Sequence, residues 1–196
     1  TGEIARAYLV PEATVAQRIV RAKRTLSDAK VPFEVPQGAQ LTERLGSVLE
    51  VVYLIFNEGY TATSGSDWMR PALCDEALRL GRMLAELAPQ ETEVLGLLAL
   101  MEIQASRTAA RTDRDGNPIL LADQDRTRWD TALIGDGHAL VRGCLRRNRP
   151  GPYQIQAAIA AVHTDAPDAA STDWGQIVAL YDQLVSIAPT PVVQLN

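Results

Sequence analysis

Ala77-Leu78-Arg79-Leu80-Gly81-Arg82-Met83-Leu84-Ala85-Glu86-Leu87-Ala88-Pro89 is the stretch on which the fold turns. Ala77, Gly81, Leu84 and Pro89 stand at relative positions 0, +4, +7 and +12. Ile177, Tyr181, Leu184 and Pro189 repeat that spacing 100 residues later. Steps of four and three keep the side chains on one face of a helix, and the proline stops it. After Pro89, Leu95, Leu98, Ala99 and Glu102 fall where a following helix would pack back on the first. The offset is close to three units of about 34 residues. A middle unit ending near Pro150 fits poorly, so degenerate helix pairs are expected.

The rest of the chain agrees with an all-α fold. Ala and Leu dominate, Phe totals 2, and β-branched runs are few, which are helix-forming choices. Helices are predicted over 41–56, 69–87, 91–108, 125–147, 154–163 and 173–187, with another starting at Val192. Thr42 is placed as an N-cap and Gly59 as a C-terminal cap. Residues 110–123 read as an irregular excursion, with Asp113-Arg114-Asp115-Gly116-Asn117-Pro118 a tight turn. Residues 31–42 hold two prolines and a glycine and read as a linker, anchored by Phe33.

No apolar run is long enough to span a bilayer, no signal peptide is visible, and a cytoplasmic protein is expected. Cys74 and Cys144 lie far apart on apolar helical patterns and are expected to be reduced and buried. The net charge of −5 argues against wholesale nucleic-acid binding, yet it is unevenly spread. Residues 1–30 carry six basic and three acidic side chains, leaving thirteen basic and twenty-one acidic on the remainder. A basic end on an acidic body suggests two tasks.

That basic end reads as helix, break, helix. Residues 2–9 are short and amphipathic, Val10-Pro11 breaks the chain, and a second helix runs from Pro11 to about Ala29. Val15, Ile19, Ala22 and Leu26 make one apolar stripe. Thr14, Gln17, Arg18, Arg21 and Arg24 lie on polar, basic faces. A DNA-reading helix needs such a stripe for its scaffold, hydrogen-bonding side chains for base edges, and cations for phosphates. A plain basic surface helix would show the same pattern.

Val10-Pro11-Glu12-Ala13-Thr14-Val15, with Arg18-Ile19, Arg21-Ala22-Lys23-Arg24 and Leu26, resembles region 4 of extracytoplasmic-function sigma factors of the sigma-70 family. Val52-Tyr53-Leu54-Ile55-Phe56-Asn57-Glu58-Gly59-Tyr60, Leu95 to Met101, Asp123-Gln124-Asp125-Arg126 with Trp129, and Gly151-Pro152-Tyr153-Gln154 through His163 resemble the group with a tetratricopeptide-like C-terminal extension. The resemblance implies an incomplete helix-turn-helix over 1–30, a linker over 31–42 and a helical extension over 43–196. It implies promoter DNA and core RNA polymerase as partners, with the extension regulating or binding a protein or peptide. Ala16, Gln17, Val20 and Arg21 would face bases of the upstream promoter element, and Thr14, Arg18, Lys23 and Arg24 would face phosphates. Arg21 suits guanine and Gln17 adenine. Ala16 stands where many relatives carry a polar or basic side chain, which limits direct readout there. Sigma region 2 is expected before Thr1, making the chain a fragment.

An alternative is a tetratricopeptide-like interaction module without a promoter-reading role. An enzyme is not expected, because no nucleophile–base pair, paired acid site or metal spacing stands out, and no cofactor motif is present. Asn57-Glu58-Tyr60 and Asp123-Asp125-Arg126 are candidates for a polar pocket, with capping and ion pairing favoured. Asp113 to Asn117 fails as a calcium loop, since Pro118 sits where that loop needs glycine. Gly135-Asp136-Gly137 lacks a preceding strand, and Ser64-Gly65-Ser66 reads as a plain loop. His163 reads as structural and His138 as lacking a partner, while Trp129 and Trp174 read as core or groove-lining aromatics.

Overall fold

A computed structural model describes residues 1–30, 38–62 and 68–195. The described chain is all-helical. Its order is α1 (Gly2–Ala7), α2 (Glu12–Ala29), α3 (Ala39–Tyr60), α4 (Pro71–Leu87), α5 (Thr92–Ala105), α6 (Thr131–Arg147), α7 (Pro152–Asp165), α8 (Trp174–Ile187) and α9 (Pro191–Leu195). Short 3₁₀ turns at Thr108–Ala110, Leu121–Asp123 and Arg126–Arg128 punctuate the α5–α6 connection.

The body is built outward from α5. Val94 and every residue from Gly96 to Ile103 are buried, so this helix is enclosed on all sides, and its buried carboxylate, Glu102, meets Arg82 at 3.1 Å. On one side it meets Leu45, Leu49, Val52 and Phe56 of α3, with Cys74, Ala77 and Leu78 of α4. On the other, Ala99, Leu100 and Ile103 pack on Val141 of α6 and Ala157, Ala160 and Ala161 of α7. A third cluster joins Ile155, Ile159 and Val162 of α7 to Ile177 and Leu184 of α8. From α3 onward each helix therefore packs on its successor, and α5 also touches α3 and α7, giving three helix pairs stacked in a row.

Close packing needs small residues at the crossings. A Cβ on Gly96 would lie 2.7 Å from the Gln154 backbone nitrogen, so α5 and α7 meet backbone to backbone. The carboxylate of Glu93 on α5 accepts the N–H groups of Tyr153 (3.0 Å) and Gln154 (3.3 Å) and the Gln154 side-chain amide (2.9 Å). A side chain of one helix thus satisfies the free donors at the start of another. Tyr53 and Tyr153 meet edge to face, with centroids 5.4 Å apart. Burial among these groups pushes the Tyr153 phenol up to about 12.

The 100-residue spacing has a structural counterpart. Ala77 and Ile177 are both buried, at 0% and 4% exposure. Both helices end in one backbone conformation, Ala88 at φ −132°, ψ 58° and Ala188 at φ −139°, ψ 71°. Both alanines donate to the carbonyl four residues earlier, at 2.8 Å. The poorly matching middle helix ends differently, on Asn148 in the left-handed region at φ 49°.

Several boundaries differ from expectation. Helix α3 begins at Ala39, after Gly38 at φ 58°, so Thr42 lies inside it and the segment read as linker already holds its first turn. A glycine can take that dihedral at no steric cost, which lets the turn close early. Helix α3 also runs to Tyr60, so Gly59 is not its cap. Gly59 is buried where a Cβ would fall 2.6 Å from the Cys74 nitrogen, making it the contact point of α3 and α4. The stretch from Asp125 is not yet helix. Asp125 caps a 3₁₀ turn through the Thr127 N–H, and Asp130 caps α6 through the N–H groups of Ala132 and Leu133. The 113–118 turn is closed by Asp113, which accepts from the backbone of Asp115 and Asn117 at 2.9 and 2.8 Å. Phe33 and Ser64-Gly65-Ser66 lie outside the described residues.

Cys74 and Cys144 are free and buried, as expected, and burial pushes the Cys74 thiol up to about 11. No helix among the described residues is long and apolar enough to cross a membrane.

Candidate nucleic-acid interface

Helix α1 ends in a tight motif. The Val10 N–H donates to the Ala5 carbonyl at 2.9 Å and the Leu9 N–H to that of Arg6 at 3.1 Å, a Schellman pair. Its left-handed position is filled by Leu9 at φ 52°, where glycine is usual. Leu9 is 92% exposed, so packing does not explain the choice. Pro11 at φ −59°, ψ 140° is the N-cap, so α2 starts at Glu12, one position later than expected.

The eight residues read as DNA contacts lie on this second helix. Ala16, Gln17, Arg18, Val20, Arg21, Lys23 and Arg24 are exposed, and Thr14 is half-buried. By helical periodicity Ala16, Gln17, Val20, Arg21 and Arg24 share one face. Arg18 falls beside the apolar stripe and edges a groove with Ile4, Tyr8, Val10, Val15, Ile19 and Ala22. Arg24 reaches Asp28 at 3.6 Å, a solvated pair one turn on, of little strength.

The stripe itself is only partly used. Val15 is 5% exposed and Ile19 half-buried, but Ala22 is exposed and Leu26 is 58% exposed. Length is the reason. The six residues of α1 span about 9 Å and the eighteen of α2 about 27 Å. A short partner covers the first turns and leaves the last ones bare.

The sequence did not announce how this unit is held. Arg70, just before α4, ion-pairs with Glu3 of α1 and, at 3.3 Å, with Glu58 of α3. The Tyr8 hydroxyl donates to Glu50 Oε1 of α3 at 2.9 Å. The hydrogen bond from Arg70 holds the Glu3 carboxyl below its ordinary value, and the bond to Glu50 raises the Tyr8 phenol. Both attachments use α1 and its end, and the cationic side chains of α2 are exposed. The partners are separated by 67 and 42 residues, with no local pattern to link them.

The two polar groups singled out on the body go to structural tasks. Glu58 joins the Arg70 pairs, and Tyr60 lies under the Arg111 guanidinium, 3.3 Å from its centroid. Arg126 donates to the His163 and Ala166 carbonyls at the end of α7, at 2.6 and 2.7 Å. His138 has partners after all, Thr164 Oγ1 at 2.8 Å and Asp165 at 3.3 Å, contributed by the next helix. Trp129 is buried, whereas Trp174 is 58% exposed with its ring edge to face on His163.

A family model described as a family of unknown function, DUF6596, matches residues 44–145, which is α3 through most of α6. An uncharacterized protein of Rhizobium meliloti (strain 1021) is 48% identical over 194 residues, 99% of this chain and 46% of the relative. The chain thus spans about half the length of the curated relative it matches. No solved structure matches it. With more than half of its length under the family model, the chain belongs to DUF6596, the family of unknown function.

Proposed function

We propose that the chain is part of an RNA polymerase sigma factor, in which α2 reads the upstream promoter element and the helical body regulates it or binds a partner. The observation that carries this reading is the disposition of α2. Its cations, Arg18, Arg21, Lys23 and Arg24, stand exposed, and among the described residues the side-chain bonds that tie this unit to the body come from Glu3 of α1 and from Tyr8 at its end. A surface helix with no task toward an anion gains nothing from that arrangement, whereas a reading helix requires it. In this reading Gln17 and Arg21 meet base edges, Ala16 and Val20 offer apolar contact, and Thr14, Arg18, Lys23 and Arg24 meet phosphates. The mechanism has two parts. Phosphate contacts release counterions and supply affinity, while the two hydrogen-bonding side chains supply sequence preference. Core polymerase is the second partner.

Run-off transcription by the intact protein with core polymerase tests the reading, using wild type and Arg21→Ala/Lys23→Ala. Specific transcripts that vanish in the double variant support it. No transcript from a folded protein, with or without the helical body, defeats it in favour of a protein-interaction module. The stacked helix pairs α3–α4, α5–α6 and α7–α8 are the observation behind that second reading.

A further inference from the structure

Three guanidinium groups gather where α5 ends, on Arg107, Arg111 and Arg126, and none forms an ion pair among the described residues. Arg107 and Arg111 are 9% and 6% exposed. Arg111 lies between the rings of Tyr60 and Trp68, 3.3 and 4.4 Å from their centroids. It donates to the Tyr60 carbonyl and to Thr61 Oγ1. Arg126 spends one nitrogen on the two α7 carbonyls and sits 4.5 Å over Trp129. Every acceptor in these contacts is neutral. The field of Arg107 reaches Arg111, Arg126 and His163, and burial with that field holds all three below their ordinary values. Asp168, exposed, is the acidic group whose field reaches Arg126.

Two donors in this corner are idle. Arg107 gives one terminal nitrogen to Gln104 Oε1, but its buried Nε has no partner. The buried indole Nε1 of Trp129, a residue 6% exposed, has none either. The Asp130 N–H donates to the Ser106 carbonyl at 2.8 Å, which joins the backbone beside Trp129 to the backbone beside Arg107. A protein interior rarely leaves such groups unmet, and a buried cation without an anion is costlier than a buried dipole. Water could satisfy the N–H groups but not the charge.

We propose that this corner binds a small oxyanion, the phosphate or carboxylate group of a low-molecular-weight acid, which accepts from Arg107 Nε and Trp129 Nε1 in the field of Arg111 and Arg126. The site belongs to the segment shared with the family, and it stands whether or not α2 reads DNA. It would make the helical body a ligand-responsive unit.

The test is calorimetric titration of the whole chain with inorganic phosphate, sulfate and citrate, against chloride at fixed ionic strength, followed also by tryptophan fluorescence. Saturable binding of any of the three, absent with chloride, is expected. Trp129→Phe, which keeps the ring and loses the donor, is expected to weaken it about ten-fold, and Arg107→Met by more. Should Arg107→Met fail to fold, Trp129→Phe carries the test alone. Phosphate and sulfate bound without citrate mark a tetrahedral ligand, and the reverse marks a carboxylate; both support the site. No saturable binding of any probe, or affinities unchanged in Trp129→Phe, would overturn it.

Discussion

The α1–α2 unit and the α5-centred body are made of the same element and held by opposite means. In α1 and α2 the buried residues are Ala5 and Val15. In α5 alone nine residues are buried. The body is stabilised by apolar area, which falls off sharply when one side chain is removed. The terminal unit is kept in place by a few polar contacts at its edge, Arg70 with Glu3 and Tyr8 with Glu50, which hold position more than they add free energy. In the proposed reading α2 offers one whole face to DNA and cannot also bury it, so its stability is drawn from elsewhere.

The largest expected effect is in the body. Phe56, at 1% exposure between α3, α4 and α5, should cost about 3–5 kcal/mol as Phe56→Ala in denaturant unfolding, whereas Val15→Ala should cost about 1 kcal/mol. Equal losses would break the contrast. Next, Glu93→Ala removes the acceptor of three N–H bonds at the start of α7 and should cost about 2–3 kcal/mol by the same measurement. A loss under about 0.5 kcal/mol would mean that solvent satisfies those donors equally well.

Arg70→Ala should leave the global unfolding midpoint nearly unchanged while speeding amide exchange in α1 relative to α5. The pH dependence of that exchange follows from Glu3, whose folded value lies below its ordinary 4.5. A depressed carboxylate stabilises the folded form above its unfolded value, and that contribution disappears as pH falls through the folded one. Protection of the α1 amides, taken relative to the intrinsic exchange rate at each pH, should therefore fall below about pH 4.5 and show no such fall in Arg70→Ala. The smallest effect is a gain. Leu9→Gly relieves a left-handed side chain at φ 52° and should stabilise by about 0.5–1 kcal/mol, with no loss of any contact. A destabilisation would show that the entropy glycine adds to the unfolded chain outweighs the relief of the left-handed side chain.

His163 adds a body-side counterpart. Its folded value lies below 6.5, chiefly through burial and then through Arg107 and Arg126. The unfolded chain thus takes up the proton more readily, and stability should decline as pH drops below about 6.5. His163→Gln should flatten that decline in thermal unfolding.

Helix order was legible wherever periodicity ran for several turns, as in α2, α4 and α8. It failed where a boundary depended on a neighbour, as at Gly59, whose role is set by its close approach to the Cys74 backbone on α4 rather than by its place before a loop. The candidate reading face was legible too, because a basic helix face is a local pattern. The Arg70 attachments and the uncompensated arginines were not, since pairing across 42 or 67 residues leaves no spacing rule.

The sequence by itself determined the all-α class, the repeated helix ends at Pro89 and Pro189, and the charge contrast between residues 1–30 and the rest. These follow from backbone preference and side-chain period, which act within a few residues. Only the tertiary structure decided that α5 is the buried axis, that α1 carries the ion pair to Arg70, and that Arg107, Arg111 and Arg126 share one corner with no ion pair among the described residues. Those facts rest on burial and long-range electrostatics, which exist only once distant segments have been brought together.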